Sequence, residues 1–321
     1  MKRKAPGQDN IFIDQFKDLG YGCMNKLLEL YNEIYFLGRF PDTWKQAIVV
    51  PILKKHKPAK DPVSYRPISL LLVAGKILES LVLNKLEPCW EKRGLIPVIQ
   101  TGFRKGLSTG INIKRMYTHS YTQSIRSTHP KPTIMIFFDA KKAFDSVYHK
   151  GLLHKCMKDG LPGIFIRFLR TWLHNRTMRI RIGTTLSRSI LTESGVPQGS
   201  TLAPGIWNYH TGDIPTTIST HSDTAVYADD TSSATTHGDK DKLLEITQEE
   251  IWQLDEWTKQ KRIKFEHKKT NVLIIHRKPE LRREIKKTTL YLDRNKTEKL
   301  EYTEHAKLLG VTFSETGTLN I

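Results

Sequence analysis

Ile134-Met135-Ile136-Phe137-Phe138-Asp139 decides how this chain is read. The apolar run that opens at Thr133 has no polar alternation, and its length suits a strand buried on both faces. It ends in a carboxylate, Asp139, and passes directly into Ala140 to Asp159, which reads as a helix closed by Gly160 and Pro162. A second decisive stretch lies downstream. Ser222 to Tyr227 and Thr231 to Thr235 read as a hairpin with Ala228-Asp229-Asp230 at its turn.

Other elements follow from periodicity. Cys23 to Leu37 reads as a helix with Leu27, Leu28, Tyr31, Ile34 and Tyr35 on one face and Gly38 as its stop. Trp44 to Leu53 suits a strand. Ser69 to about Glu87 reads as a helix capped by Ser69 and stopped before Pro88. Thr177 to Ile182 and Ser189 to Glu193 form a second expected hairpin. Asp239 to Lys261 is helical, with Leu243, Ile246, Ile251, Leu254 and Trp257 as its inner stripe. Short strands are expected at Thr270 to Ile275, Thr289 to Leu292 and Lys307 to Phe313. Helices and strands are intermixed without strict alternation. That pattern describes an α+β fold with a mainly antiparallel sheet, built as one catalytic unit with subdomains.

The 321 residues carry 51 Lys plus Arg against 33 Asp plus Glu, a formal net charge of +18. An excess of that size on a folding chain favours a polyanionic partner, above all nucleic acid. At 38% hydrophobic, the composition excludes wholesale disorder. Cys23, Cys89 and Cys156 lie far apart, which argues against a disulfide scaffold or a structural zinc module. No run of 18 apolar residues is present, so no membrane span is expected, and Met1 to Gly7 has no apolar leader.

Against this basic background, the placement of Asp139, Asp229 and Asp230 is unusual. Carboxylates at the edge of an apolar core are costly, and grouping them adds repulsion. A hard divalent cation relieves both, because Mg²⁺ takes carboxylate and phosphate oxygens. Taken singly, each position is also an ordinary N-cap or turn residue.

Further motifs turn this pattern into a resemblance. Tyr227-Ala228-Asp229-Asp230 resembles the YxDD box of reverse transcriptases, and Phe137 to Val147 resembles their preceding acidic motif. Gly195-Val196-Pro197-Gln198-Gly199-Ser200 resembles their GVPQGS box, in the expected order. Lys4 to Asp9, Tyr65 to Leu70, Gln100-Thr101-Gly102-Phe103-Arg104, Asn208 to Pro215, Lys269-Thr270 and Leu309-Gly310-Val311 match further boxes. The variants are most similar to reverse transcriptases of non-LTR retrotransposons, with group II intron enzymes as near relatives. Gln8, Asn10, the stretch Thr109 to Asn112, which lacks the usual Asp, Trp207 to Gly212, and His267-Lys268 depart from the family pattern, but none removes an expected metal ligand.

The resemblance implies a right-hand polymerase fold, with fingers over about 1–130, palm over about 131–321, and little room for a thumb. It implies an RNA-directed DNA polymerase that joins a primer 3′-hydroxyl to a dNTP on an RNA template, with a DNA primer. Two Mg²⁺ ions, or Mn²⁺ in their place, would be held by Asp139, Asp229 and Asp230. Phe144 would lie under the nucleotide sugar and exclude a 2′-hydroxyl. Gln198, Arg66, Arg104 and Lys269 would contact the nucleotide. The basic stretches Lys54 to Lys60 and Arg277 to Lys287 would follow template and primer. A nuclear site of action is expected on the same ground. Three readings stand beside this one: a catalytically inactive nucleic-acid-binding remnant, a group II intron-type reverse transcriptase, and a palm polymerase that makes RNA.

Overall fold

The computed structural model describes residues 5–214 and 222–320. Lys4 of the first box and Pro215 of the Asn208 to Pro215 box lie outside the described residues. The chain divides into two units that alternate along it: Met1–Cys89 with Phe144–His210, and Trp90–Ala143 with Thr211–Ile321.

In the first unit the strand Gln46–Leu53 pairs antiparallel with Tyr65–Leu70 and parallel with Arg176–Ile182. The strands Thr185–Leu186 and Ile190–Thr192 fold back on Arg176–Ile182, so the expected hairpin there is present. Gly38 ends the helix Tyr21–Leu37 in the left-handed conformation, as its position suggested. Only Tyr31 and Ile34 of that helix are fully buried, and Leu28 is exposed. The helix Gly163–Leu173 fills the core with Phe165, Phe168, Leu169 and Trp172.

Glu79 anchors this unit. It sits on the helix Val73–Lys92 and is 1% exposed. Its carboxylate accepts from Trp172 Nε1 at 2.8 Å, Ser200 Oγ at 2.7 Å and the Thr201 N–H at 2.8 Å. Ser200 Oγ in turn accepts from the N–H groups of Leu202 and Ala203, which open the helix Ala203–His210. One buried acceptor thus ties the helices Val73–Lys92 and Gly163–Leu173 to the loop that precedes a third helix, Ala203–His210.

The second unit is built on a sheet in the order Glu301–Thr303, Asn271–Ile275, Thr133–Phe138, Asp230–Thr236, Ser222–Tyr227. Thr133–Phe138 lies at its centre and every residue of it is buried, as its unbroken apolar run required. It pairs antiparallel with both neighbours. Met135 and Phe137 face one side, with Met116 of the helix Thr109–Tyr121 and Leu308 and Phe313 of a terminal hairpin. The helix Lys240–Lys261 packs on the sheet, where its Glu250 accepts from Thr235 Oγ1 at 2.7 Å. Asp239 caps that helix by accepting from the N–H groups of Asp241 and Lys242.

Four expectations are corrected. The helix expected from Ser69 to Glu87 runs Val73–Lys92 and contains Pro88. Ser69 is instead a strand residue, paired with Val49, and its N–H donates to the Gln198 carbonyl at 2.7 Å. The helix expected from Ala140 to Asp159 is broken into Ala143–Ser146 and His149–Lys158. Ala140 pairs with Phe265 and Lys142 takes a φ of 50°, so Ala140 stands ahead of any helix start. Thr289 to Leu292 forms no strand: Tyr291 makes an isolated bridge with Lys299, flanked by the Leu292 N–H donating to the Glu298 carbonyl at 2.8 Å and the Leu300 N–H donating to the Leu290 carbonyl at 2.9 Å. Lys307 to Phe313 spans two strands, His305–Leu308 and Val311–Ser314, around Leu309 and Gly310, both at positive φ. A two-residue turn of that kind needs positive φ at both positions, which is why the glycine sits there.

Glu79→Gln is expected to destabilise the chain by about 2 to 3 kcal/mol, because an NH₂ group would then face buried donors. Urea unfolding measures it; an unchanged midpoint would show that Trp172 and Ser200 do not depend on the carboxylate.

Candidate active site

The register of the central sheet places the carboxylates. Phe138 pairs with Thr231, so Asp139 leaves its strand at the same end as Asp230. Tyr227 pairs with Asp230, which leaves Ala228 and Asp229 as a two-residue turn. The three acidic residues therefore meet at one sheet edge although ninety residues separate the first from the others in sequence. Partial burial first, then the charges of Asp229 and Asp139, push the Asp230 carboxyl up to about 6.

A cation stands beside them. Lys269 Nζ lies 3.3 Å from Asp139 Oδ2. Lys269 comes from a loop that folds back on the end of the central strand. The Glu266 N–H donates to the Asp139 carbonyl at 2.9 Å, the Lys141 N–H donates to the Lys264 carbonyl at 2.8 Å, and the rings of Phe138 and Phe265 pack 5.0 Å apart. Both polar members of this pair keep solvent access, with side chains 58% and 42% exposed, so the pair holds geometry more than stability.

The turn at Ala228 is clamped from outside the sheet. Ile99 to Thr101 runs beside the strand Ser222–Tyr227, with the Thr101 N–H donating to the Val226 carbonyl at 2.9 Å and the Val226 N–H to the Ile99 carbonyl at 3.1 Å. The buried Gln100 side chain donates from Nε2 to the Ala228 carbonyl at 3.1 Å and accepts at Oε1 from the Ala228 N–H at 2.9 Å. Gly102 presses so close that a Cβ there would stand 2.2 Å from the Ala228 nitrogen. Any side chain at 102 would push the turn away.

Arg104, expected to contact phosphate, has other partners. Its guanidinium already holds the Glu91 carboxylate through Nε and Nη2, and Nη1 donates to the carbonyls of Pro97 and Gln100, each at 2.8 Å. It thereby fixes the backbone that carries Gln100. Asp213 has a similar anchoring use, accepting from Trp257 Nε1 at 3.0 Å and from Lys261 Nζ at 2.6 Å.

In the first unit the GVPQGS box packs on Phe144. The Val196 N–H donates to the Phe144 carbonyl at 2.8 Å and the Gly195 N–H to the Val147 carbonyl at 2.9 Å. Phe144 is half-buried and its ring stacks on Trp207, with centroids 5.9 Å apart and planes at 28°. Gln198 is half-buried beside Gly199, whose φ of 141° and approach to the Ser69 carbonyl leave no room for a Cβ. Arg66 is exposed on the strand Tyr65–Leu70, three residues before Ser69. Lys55 to Lys60 is exposed, whereas Arg282 and Lys286 of the second basic stretch both pair with Glu315.

The donor set at the sheet edge is made of carboxylate oxygens, which suits a hard divalent cation. Among the described residues, no three His, Cys, Asp or Glu side chains already stand at metal-ligand spacing. Mg²⁺ is usually held by one or two carboxylates, its remaining positions taken by water and substrate phosphate. The crowding of Asp230 by two like charges leaves negative charge at this edge that a further cation would neutralise. Asp139, Asp229 and Asp230 therefore fit such an ion. No helix among the described residues is long and apolar enough to cross a membrane.

The family profile described as reverse transcriptase (RNA-dependent DNA polymerase) matches residues 52–313. The probable RNA-directed DNA polymerase from transposon BS of Drosophila melanogaster is 32% identical over 84% of this chain and 30% of its own length. The RNA-directed DNA polymerase from mobile element jockey of the same organism is 33% identical over 73% of this chain and 26% of its own length. The chain thus spans less than a third of these curated relatives. Apo telomerase from Candida tropicalis, truncated from its C-terminal domain, superposes with a TM-score of 0.57 at 12% identity, over 93% of this chain and 60% of that one. At that identity the likeness is one of fold, and it bears out the α+β right-hand polymerase architecture with mainly antiparallel sheets.

The raised Asp230 carboxyl generates a prediction for the metal-free protein. A folded-state value above the unfolded one costs stability when the group ionises, and that cost disappears as pH falls through about 6 toward 4. Asp230→Asn is expected to raise the melting temperature by on the order of a degree or two at pH 7.5, and by nothing at pH 4. An equal gain at both pH values, in chelator, would remove the electrostatic explanation.

Proposed function

The chain belongs to the reverse transcriptase family, and on that premise we propose that it is the polymerase segment of a non-LTR retrotransposon, extending a DNA primer with dNTPs on an RNA template. The observation that carries the reading is the register that delivers Asp139 and Asp229-Asp230 to one end of the central sheet. Reverse transcriptases act with divalent metal ions; here we assign Mg²⁺, with Mn²⁺ as a substitute. Asp139 and Asp229 would be its principal ligands and Asp230 a peripheral one. When bound, the ions would lower the pKa of the primer hydroxyl and neutralise the charge of the departing pyrophosphate.

The chain's own residues have distinct tasks in this reading. The Asp139 and Asp229 carboxylates orient the reacting groups from rigid strand ends rather than from mobile loops. Lys269, 3.3 Å from Asp139, holds that carboxylate in the absence of substrate and is assigned to the pyrophosphate when substrate is bound. Phe144 is assigned to the sugar. Its half-buried position, stacked on Trp207, leaves part of the residue accessible, which supports that role over a fully buried core ring. Gln198 and Arg66 are assigned to the nucleotide. The contacts of Arg104 within its own unit favour a supporting task over a direct one. The unit that holds the carboxylates corresponds to the palm. A net charge of +18 supports sequence-independent binding of a template-primer, and a nuclear site of action accompanies the reading.

Primer extension on poly(rA)/oligo(dT) tests it. Asp229→Asn is expected to cut dTTP incorporation on the order of a thousandfold and to leave template-primer affinity within about threefold, since one neutral isostere barely alters a strongly basic surface. Template-primer binding by the wild-type chain without incorporation would instead mark an inactive remnant.

Phe144 separates DNA synthesis from RNA synthesis. Phe144→Val is expected to raise incorporation of UTP relative to dTTP by about tenfold or more, since relief of a clash worth about 1.4 kcal/mol corresponds to a factor of ten. A lowered melting temperature with an unchanged UTP/dTTP ratio would return Phe144 to the core.

A further inference from the structure

The Ala228-Asp229 turn has a conformational difficulty that the rest of the hairpin does not share. Ala228 has a φ of 59°, in the left-handed region, while Asp229 is not at positive φ. A two-residue hairpin turn with positive φ only at its first position is normally supplied with glycine there. An alanine in that conformation is strained and persists only when its surroundings determine it. The residue that follows is the one on which the proposed metal site depends.

The surroundings that determine it converge on Gln100. Its amide meets both polar groups of Ala228, donating to the carbonyl at 3.1 Å and accepting from the N–H at 2.9 Å. The same Oε1 accepts from the Gly102 N–H at 2.9 Å, so the side chain is held at its own end as well. Gln100 is 2% exposed. Its backbone carbonyl is held in turn by Arg104 Nη1 at 2.8 Å. A primary amide is the one uncharged side-chain group that offers a donor and an acceptor side by side, which is what a single residue's N–H and C=O demand. Leu or Met would fill the same volume and remove the hydrogen bonds to three backbone groups, the Ala228 N–H and carbonyl and the Gly102 N–H. Glu would lack the donor.

Asn112 supplies an internal comparison. It is equally buried, and its Nδ2 donates to the Val226 carbonyl at 2.8 Å. It therefore holds the same strand two residues upstream, without touching the turn.

We propose that Gln100 is a positioning residue for Asp229: its amide locks the Ala228 peptide in its left-handed conformation and so directs the Asp229 carboxylate toward the metal. Arg104 supports it by holding its backbone. The inference rests on the polymerase reading for its consequence in catalysis, but its consequence for metal binding stands by itself. Supporting groups of this kind typically change metal affinity or activity by about 10- to 100-fold when removed, and a displacement of about 1 Å is enough for that.

The test compares Gln100→Met, Gln100→Asn and Asn112→Leu with the wild-type chain. Mn²⁺ binding is measured calorimetrically without nucleotide, alongside a melting curve, and single-turnover dTTP incorporation on poly(rA)/oligo(dT) is measured separately. Gln100→Met is expected to weaken Mn²⁺ binding about tenfold or more and to lower the incorporation rate by a similar factor. The dTTP KM should stay within about threefold, because the amide touches no substrate in this assignment. Asn112→Leu should lower the melting temperature comparably and leave Mn²⁺ binding within about twofold. If Gln100→Met does not fold, Gln100→Asn carries the test. It keeps an amide in the cavity but is one methylene too short to reach Ala228, and it should weaken Mn²⁺ binding likewise. Wild-type Mn²⁺ affinity in the folded Gln100 variants, or an equal loss in Asn112→Leu, overturns the proposal. Absence of incorporation by the wild-type chain, with the Mn²⁺ difference intact, would overturn the polymerase reading and leave Gln100 as the device that sets the turn.

Discussion

Like charges gathered at the end of a buried strand constrain everything else in the second unit. Asp139, Asp229 and Asp230 repel one another, and that repulsion adds to burial in raising the Asp230 carboxyl. The local chain holds Asp229 beside Asp230, but nothing local holds Asp139 to either. The pairing of Thr133–Phe138 with Asp230–Thr236 does, and behind it the burial of the whole central strand. Slipping that register by one residue would turn Ile134, Ile136 and Phe138 to the opposite face of the sheet and move Asp139 away from the turn. The hydrophobic effect over an entire strand is thus set against electrostatic repulsion at its tip. Burial wins because it is summed over many residues while the repulsion is confined to one edge.

Buried polar groups do the finer work in both units. Glu79 collects donors from the helix Gly163–Leu173 and from the Ser200 loop. Gln100 collects the polar groups of a turn that its own sequence would not favour. In each case one side chain satisfies backbone or side-chain groups from segments far apart in the chain. Desolvating such groups is costly, so these contacts add little net stability when made and cost much when half broken. Their value lies in specifying one geometry. The glycines at 102 and 199 act in the same sense, because each lets a segment approach a backbone atom more closely than a Cβ allows.

Strand and helix identity is legible where one signal dominates. The all-apolar run at 134–138 suits only a doubly covered strand. Asp239 and Gly38 mark helix ends through local hydrogen bonding and φ preference. The helix Gly163–Leu173 carries a stripe that periodicity alone could have found, with Phe168, Leu169 and Trp172 spaced three, four and seven residues after Phe165. Errors arise where local and tertiary preferences disagree. Ser69 looks like a cap, yet Val49 and Gln198 together offer its backbone better partners in a sheet. The break after Asp139 is imposed by the pairing of Ala140 with Phe265, a contact across more than a hundred residues that no local pattern announces.

For the site, residue types and order along the chain determined the family and singled out the carboxylates on which the proposed reading rests, because that chemistry would need oxygen donors of this kind. The sequence also determined a strongly basic surface and a central buried strand. Only the tertiary structure decided how Asp229 is held. Gln100 stands in a box whose arginine is the more conspicuous residue, and its importance depends on Ala228, 128 residues later, having adopted a positive φ. Arg104, which the sequence suggests as a phosphate contact, is occupied by Glu91 and two carbonyls. The physical reason is the same in both cases. A long polar side chain has many partners within reach, and which one it takes depends on backbone atoms that only folding brings within about 3 Å.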